Sequence, residues 1–147
     1  MRIIDVTEEK LAQAGAIHSE SWKDSHRSFC TTEFLEKHSP AAQTEFLRRE
    51  MAAGKRVWML VDECPVGIVS VQDSLIENLY ILPGYQGRGY GTRLLHFAME
   101  QCRGRPTLWI LDNNEGAYRL YARNGFQLSG RKMRLTETLY EIEMVKV

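Results

Sequence analysis

The clearest chemical signal is a run of closely spaced glycines, Gln86-Gly87-Arg88-Gly89-Tyr90-Gly91-Thr92, between an apolar stretch and an amphipathic helix. Glycine has no side chain, so several backbone N–H groups in such a loop can approach one anion. The helix that follows begins with unpaired N–H groups and the positive end of its dipole. Arg88 and Arg93 add positive charge. The segment therefore predicts a site for a phosphate-bearing ligand, and a pyrophosphate fits it best.

Single residues exclude other chemistries that use glycine loops. A dinucleotide-binding G-x-G-x-x-G motif starting at Gly87 needs glycine at position 92, where the chain has Thr92. A P-loop spaced on Gly84 and Gly89 needs lysine next, where the chain has Tyr90. The G-x-S-x-G and H-E-x-x-H motifs are absent. Two alternatives stay open: a turn that only joins a strand to a helix, and a site for another phosphate-bearing ligand.

The elements that must position this loop follow the order βααβββαβαββ. The first half predicts a strand over Arg2–Val6, a helix from Thr7 to about Trp22 and a helix from Pro40 to Gly54, with Thr31 as the cap of a shorter helix between them. The second half predicts helices after Gly91 and Asn114, and strands over Val57–Val61, Val66–Val71, Leu75–Leu82, Thr107–Leu111, Phe126–Arg134 and Leu139–Val147. This order implies a mixed α/β sheet with helices on its faces.

Length and composition narrow the class of protein. The 147 residues fit one domain over residues 1–147, and 19 basic against 19 acidic residues argue against a nucleic-acid partner. The longest strictly apolar run, Val57–Val61, is too short to cross a membrane, and the first residues lack the apolar stretch of a secretory signal. Three scattered cysteines argue against a disulfide framework or a metal site, so we expect a cytoplasmic protein without metal.

Three linked blocks of this sequence resemble the GNAT superfamily of acyl-CoA N-acyltransferases. Ile76–Pro83 is similar to the central strand of that family, and Gln86–Gly91 to its pyrophosphate loop. Leu108–Leu111, followed by Asn114, Ala117, Tyr121 and Gly125-Phe126, is similar to its next strand and helix. The resemblance implies a mixed, mainly antiparallel sheet with helices on both faces, whose central strands splay apart to admit the cofactor.

The resemblance also implies acetyl-CoA (coenzyme A) as co-substrate. Its pantetheine arm would add to the exposed edge of the central strand, where the N–H near Leu79 polarises the thioester carbonyl. The residues expected to bind it are Leu79, Tyr80, Ile81, Gln86, Gly87, Arg88, Gly89, Tyr90, Gly91, Thr92, Asn114 and Ala117.

The resemblance further implies two proton carriers. Tyr121 matches the position of a phenol close to the coenzyme A sulfur, which makes it the expected general acid; the alternative is an aromatic side chain that only packs. Glu77 matches an acid on the central strand and is the expected general base, with His26 and Glu141 as further candidates. Some relatives carry their acid on the next strand, but this chain has Trp109 there. The alternatives for Glu77 are a solvated strand residue and a charge that selects a cationic substrate.

The acceptor pocket is expected between the first helical segment and the final hairpin. Trp22, His26, Tyr140 and Glu141 are the residues expected to line it. The predicted function is transfer of an acetyl group to a primary amine of a small molecule or peptide, by direct attack in a ternary complex. The alternative is a non-catalytic module that binds or senses acyl-CoA. The final hairpin also leaves an edge at which a homodimer could form.

Overall fold

The computed structural model describes residues 1–147. The chain folds into one seven-stranded sheet and five α-helices. The strands are β1 (Arg2–Asp5), β2 (Arg56–Asp62), β3 (Cys64–Gln72), β4 (Leu75–Ile81), β5 (Thr107–Leu111), β6 (Phe126–Arg134) and β7 (Tyr140–Lys146). The helices are α1 (Glu8–His26), α2 (Thr32–Glu36), α3 (Pro40–Ala52), α4 (Tyr90–Gln101) and α5 (Glu115–Arg123). The predicted elements are all present, and the shorter helix expected after Thr31 is α2.

The seven strands form one sheet in the order β1-β2-β3-β4-β5-β7-β6. All neighbours are antiparallel except β4 and β5, which run parallel because α4 crosses over between them. Antiparallel hairpins join β2 to β3 and β6 to β7, as predicted. The structure thus confirms the mixed, mainly antiparallel sheet.

Each face of the sheet has its own apolar core. On one face, Leu94 and Leu95 of α4 and Tyr121 of α5 pack against strand residues such as Val69 and Leu108. On the other face, α1 and α3 cover a second core, with buried side chains Leu11, Ala14, Ile17, Leu47, Val57, Met59 and Ile68. Side chains alternate along a strand, so neighbouring residues of β3 and β4 reach different cores. We call these the α4–α5 face and the α1–α3 face.

Two details of the first helices differ from the prediction. Helix α1 continues past Trp22 to His26, and the rings of these two residues stack with their centroids 3.9 Å apart. The side chain of Thr7 makes no capping hydrogen bond, although Thr7 does precede the helix. Thr31 and Ser39 do cap, since they accept from the N–H groups of Phe34 and Ala42 at 3.2 and 3.1 Å. None of the helices combines the length and apolarity that crossing a membrane requires.

Candidate active site

The centre of the sheet opens into a cleft between β4 and β5. Their parallel pairing is limited to Leu75 with Thr107 and Ile76 with Leu108. Beyond this point β4 stays paired to β3 up to Ile81, and β5 stays paired to β7 up to Leu111. On the side that faces β5, the edge of β4 from Glu77 to Ile81 therefore has no paired strand. This is the splayed arrangement that the sequence led us to expect, and it leaves room for an extended ligand to add as a strand.

A β-bulge shapes this open edge. The register between β3 and β4 shifts so that Ile68 pairs with Tyr80 while Ser70 pairs with Glu77. The extra residue puts Glu77 and Tyr80 on the same face, whereas a regular strand would send residues three apart to opposite faces. Asn78 has φ = +54°, a left-handed conformation. Its amide group donates to Ser70 Oγ at 3.2 Å, and its Oδ1 lies 3.3 Å from His18 Nε2 of α1.

The glycine loop provides an open cradle at one end of the cleft. Gly87 and Gly89 have φ of +76° and +85°, and a Cβ atom on either would meet nothing within 4 Å. Gly89 precedes α4, whose first turn has no side-chain cap. Uncapped N–H groups beside open space are what a pyrophosphate needs, so the residues present fit coenzyme A.

Three side chains of the loop are engaged within the chain. Gln86 donates to the carbonyl of Ile81 at 3.1 Å, and Tyr90 donates to the carboxylate of Asp62. Arg88 donates to the carbonyl of Gly84 at 3.3 Å. These contacts fix the shape of the loop, and they leave its backbone as the main anion-binding surface.

Helix α5 brings its inner face against the same region. Asn114 caps the helix, with its Oδ1 accepting from the N–H of Ala117 at 3.0 Å. Tyr121 is 8% exposed and packs edge-to-face on Phe126, with centroids 5.9 Å apart. Burial, and secondly the nearby Tyr80, raise the pKa of Tyr121 well above its usual value. The phenol therefore keeps its proton at neutral pH and has an O–H group to donate. Tyr118, one turn earlier, is 41% exposed and lines a cavity of about 290 Å³ that Asn114 also borders.

Acidic side chains approach the cleft from the α1–α3 face. Tyr80 lies on this face, with its ring 4.9 Å from that of His18. Burial, followed by the charges of Glu141 and Glu77, raises the pKa of Tyr80 to about 12. Both carboxylates are therefore close enough to act on the same phenol. Glu77 also accepts a hydrogen bond from the ammonium group of Lys55.

Part of the expected acceptor pocket does not come together. Glu141 is opposite Leu111 in the pairing of β5 and β7, but its neighbour Tyr140 points to the other face, beneath Lys132 at 5.0 Å. Trp22 and His26 belong to a separate aromatic cluster at the end of α1, in which Trp22 also stacks on His38 at 3.5 Å. Within the site, the structure thus groups Glu141 with Glu77 and Tyr80, and it does not group Tyr140 with them.

Comparison with known proteins agrees with this geometry. The model of the acetyltransferase (GNAT) family matches residues 17–126. The chain belongs to the GNAT family. An uncharacterized N-acetyltransferase from Mycobacterium bovis is 34% identical over 65 residues, which are 42% of this chain and 42% of the relative. The match thus spans less than half of that relative's length.

Solved GNAT structures share the fold. A GCN5-related N-acetyltransferase from Rhodopseudomonas palustris superposes with a TM-score of 0.76 at 23% identity, over 99% of this chain and 94% of the other. PaiA N-acetyltransferase from Thermoplasma acidophilum, solved in complex with coenzyme A, gives a TM-score of 0.68 at 19% identity, over 97% and 98% of the two chains.

Three residues of this candidate site were not predicted from the sequence to have a role in it. His18 and Asn78 form the hydrogen-bonded support of the bulge, and Lys55 holds Glu77. Each is bonded to a partner on another element, 22 or more positions away in the sequence. Only the left-handed conformation of Asn78 had a weak local hint, because asparagine adopts it more readily than most residues.

Proposed function

We propose that this protein is an acetyl-CoA-dependent N-acetyltransferase that acts on a primary amine of a small molecule or peptide by direct attack in a ternary complex. The observation that carries the proposal is the open edge of β4, which leads to the uncapped start of α4 in a chain of the GNAT family. Coenzyme A bound in a structural neighbour gives further support.

The backbone would hold most of the co-substrate. Acetyl-CoA supplies an activated acyl thioester when it is bound. The N–H groups of the Gly87–Thr92 segment would hold the pyrophosphate, and the backbone of Leu79, Tyr80 and Ile81 would pair with the extended arm. The bulge at Asn78 would present a backbone N–H near Leu79 to the thioester oxygen. Asn114 and Ala117 would border the arm from α5.

Tyr121 and Glu77 would carry the protons. A primary amine with a pKa near ~10.4 is mostly charged at neutral pH and must lose a proton before it attacks. Glu77, which is partly exposed on β4, would accept that proton directly or through water. Tyr121, protonated and buried, would donate to the departing sulfur. Glu141 adds a second negative charge that favours a cationic acceptor, and Trp22 and His26 would border the more distant part of the acceptor.

The test is release of free thiol from acetyl-CoA in the presence of a panel of amines, together with thermal unfolding with and without coenzyme A. We expect a higher Tm with coenzyme A and thiol release with at least one amine. A higher Tm without thiol release on any amine would instead support the non-catalytic acyl-CoA-binding module. Stronger stabilisation by nucleotides than by coenzyme A would contradict both.

A further inference from the structure

A lysine is buried between two carboxylates on the α1–α3 face. The side chain of Lys55 is 4% exposed, and its ammonium group donates to Glu50 Oε1 at 2.8 Å and to Glu77 Oε1. Glu50 belongs to α3 and Glu77 to β4, and their side chains are 30% and 39% exposed. Lys55 thus connects a helix to the strand that lines the cleft.

The chain turns Lys55 inward by a specific local structure. Helix α3 ends at a left-handed Gly54, with φ = +105°, and the N–H of Lys55 still donates to the carbonyl of Glu50 at 3.0 Å. Gln72 of β3 donates to the carbonyl of Ala53 at 3.2 Å, which ties this turn to the sheet. Val57, two residues on, pairs with Ser70, and Ser70 pairs with Glu77. Lys55 therefore starts on the same face as Glu77 and reaches it across β3.

The two carboxylates keep the buried ammonium group of Lys55 charged. Burial lowers the pKa of the Lys55 ammonium, but the hydrogen bonds to Glu50 and Glu77 outweigh that effect, so its pKa is raised overall. A buried ammonium without these partners would carry a large desolvation cost. Glu77 Oε1 is the atom that binds Lys55, and no hydrogen bond within the chain engages the other carboxylate oxygen.

We infer that Lys55 is a positioning residue that holds the Glu77 carboxylate at the edge of the cleft, with α3 and Glu50 as its anchor. This inference rests on the proposed function, because Glu77 matters here as the base that receives the amine proton. The other ionisable groups in this part of the site are Tyr80, Glu141, Glu50 and His18. Burial lowers the pKa of His18 to about 4, so that His18 is neutral at pH 7. Lys55 is therefore the cation that fixes Glu77.

The experiment is a double-mutant cycle on acetyl transfer. Lys55→Met and Lys55→Arg are made in the wild-type chain, and Lys55→Met is also combined with Glu77→Gln. We expect Lys55→Met to lower kcat/KM for the amine by roughly 10-fold and to leave KM for acetyl-CoA within about 2-fold. Lys55→Arg is expected to recover most of the activity, since arginine can still donate to both carboxylates. In the Glu77→Gln background, Lys55→Met is expected to cause almost no further loss.

Controls separate positioning from stability. Arg48→Met removes an exposed pair of α3 with Glu8 and should leave activity unchanged. Circular dichroism and thermal unfolding report the folded fraction of each variant, and Lys55→Gln serves as a second neutral variant if Lys55→Met does not fold.

The outcomes separate the two proposals. Full activity of a folded Lys55→Met variant, or an equal further loss in the Glu77→Gln background, would overturn the role of Lys55 while the transferase function stands. Full activity of Glu77→Gln would contradict both the role of Glu77 as general base and the role of Lys55 as its positioning residue. A wild-type chain that binds coenzyme A but acetylates no amine would overturn the proposed function itself.

Discussion

Replacing Tyr121 by phenylalanine removes one hydroxyl group and keeps the buried ring. The edge-to-face contact with Phe126 uses only the ring, so it should persist in the variant. The hydroxyl is costly to bury, and its removal should change the free energy of unfolding by less than about 1 kcal/mol. Binding of coenzyme A should stay within about 3-fold, because the glycine loop and the β4 edge are unaltered.

The expected loss is in the chemical step. A positioned proton donor contributes about 10²-fold at the low end of general acid–base catalysis. We therefore expect kcat to fall by roughly 100-fold, which corresponds to about 2.7 kcal/mol in activation free energy. The high pKa of Tyr121 keeps the donor protonated across the neutral range, so the loss should not vary between pH 7 and pH 9.

Helix α5 supplies a matched control. Tyr118→Phe makes the same chemical change one turn earlier on an exposed side chain. The assay measures thiol release under saturating acetyl-CoA, with Tm shifts by coenzyme A recorded for both variants. Wild-type kcat in Tyr121→Phe, or an equal loss of activity in Tyr118→Phe, would contradict the role of the Tyr121 hydroxyl as proton donor.

Three further predictions concern binding and stability. Gly89→Ala should abolish most of the Tm increase caused by coenzyme A. The control Gly130→Ala has a similar φ of +95° and equally open surroundings, so it should cost about 1 kcal/mol of stability and leave coenzyme A binding intact. Equal Tm increases in the two variants would contradict the role of the glycine loop in binding. Asn78→Ala should lower the free energy of unfolding by about 2–3 kcal/mol, and Asn78→Gly by less, because only alanine adds backbone strain to the lost hydrogen bonds. Equal losses of the two variants in denaturant titrations would refute the contribution of backbone strain. Burial lowers the pKa of His18 to about 4, although the hydrogen bond to Asn78 partly opposes this effect. The unfolded chain therefore binds more protons than the folded chain between pH 6.5 and pH 4. Stability should fall by about 3 kcal/mol as the pH drops through that window, and His18→Gln should flatten the dependence; an unchanged slope in that variant would show that other groups cause it.

Local patterns predicted the elements well because their causes are local. The glycine spacing in Gln86–Gly91, the cap at Ser39 and the alternation in β7 depend on residues within a few positions of each other. The bulge at Asn78 is different, since it depends on Ser70 and His18 from two other elements. A strand pattern read without the bulge sends Glu77 and Tyr80 to opposite faces. For this reason the sequence pattern did not predict that Glu77 and Glu141 lie close to Tyr80.

For Tyr140 the local pattern already held the answer. Tyr140 and Glu141 were both expected to line the acceptor pocket as residues of the final hairpin, although the alternation predicted for this strand places them on opposite faces. Alternation along β7 separates them, with Glu141 on the α1–α3 face and Tyr140 on the face of Ile142. Neighbouring residues of a strand share a site only at an edge or a bulge.

The two faces of the sheet explain how the proposed proton carriers can coexist. Tyr121 approaches the cleft from the α4–α5 face, and Glu77 from the α1–α3 face. The gap between β4 and β5 is where groups from both faces can reach one ligand. Glu77 is bound by Lys55 and Tyr121 is packed on Phe126, so under the proposed function it is a substrate in the gap that would connect the two.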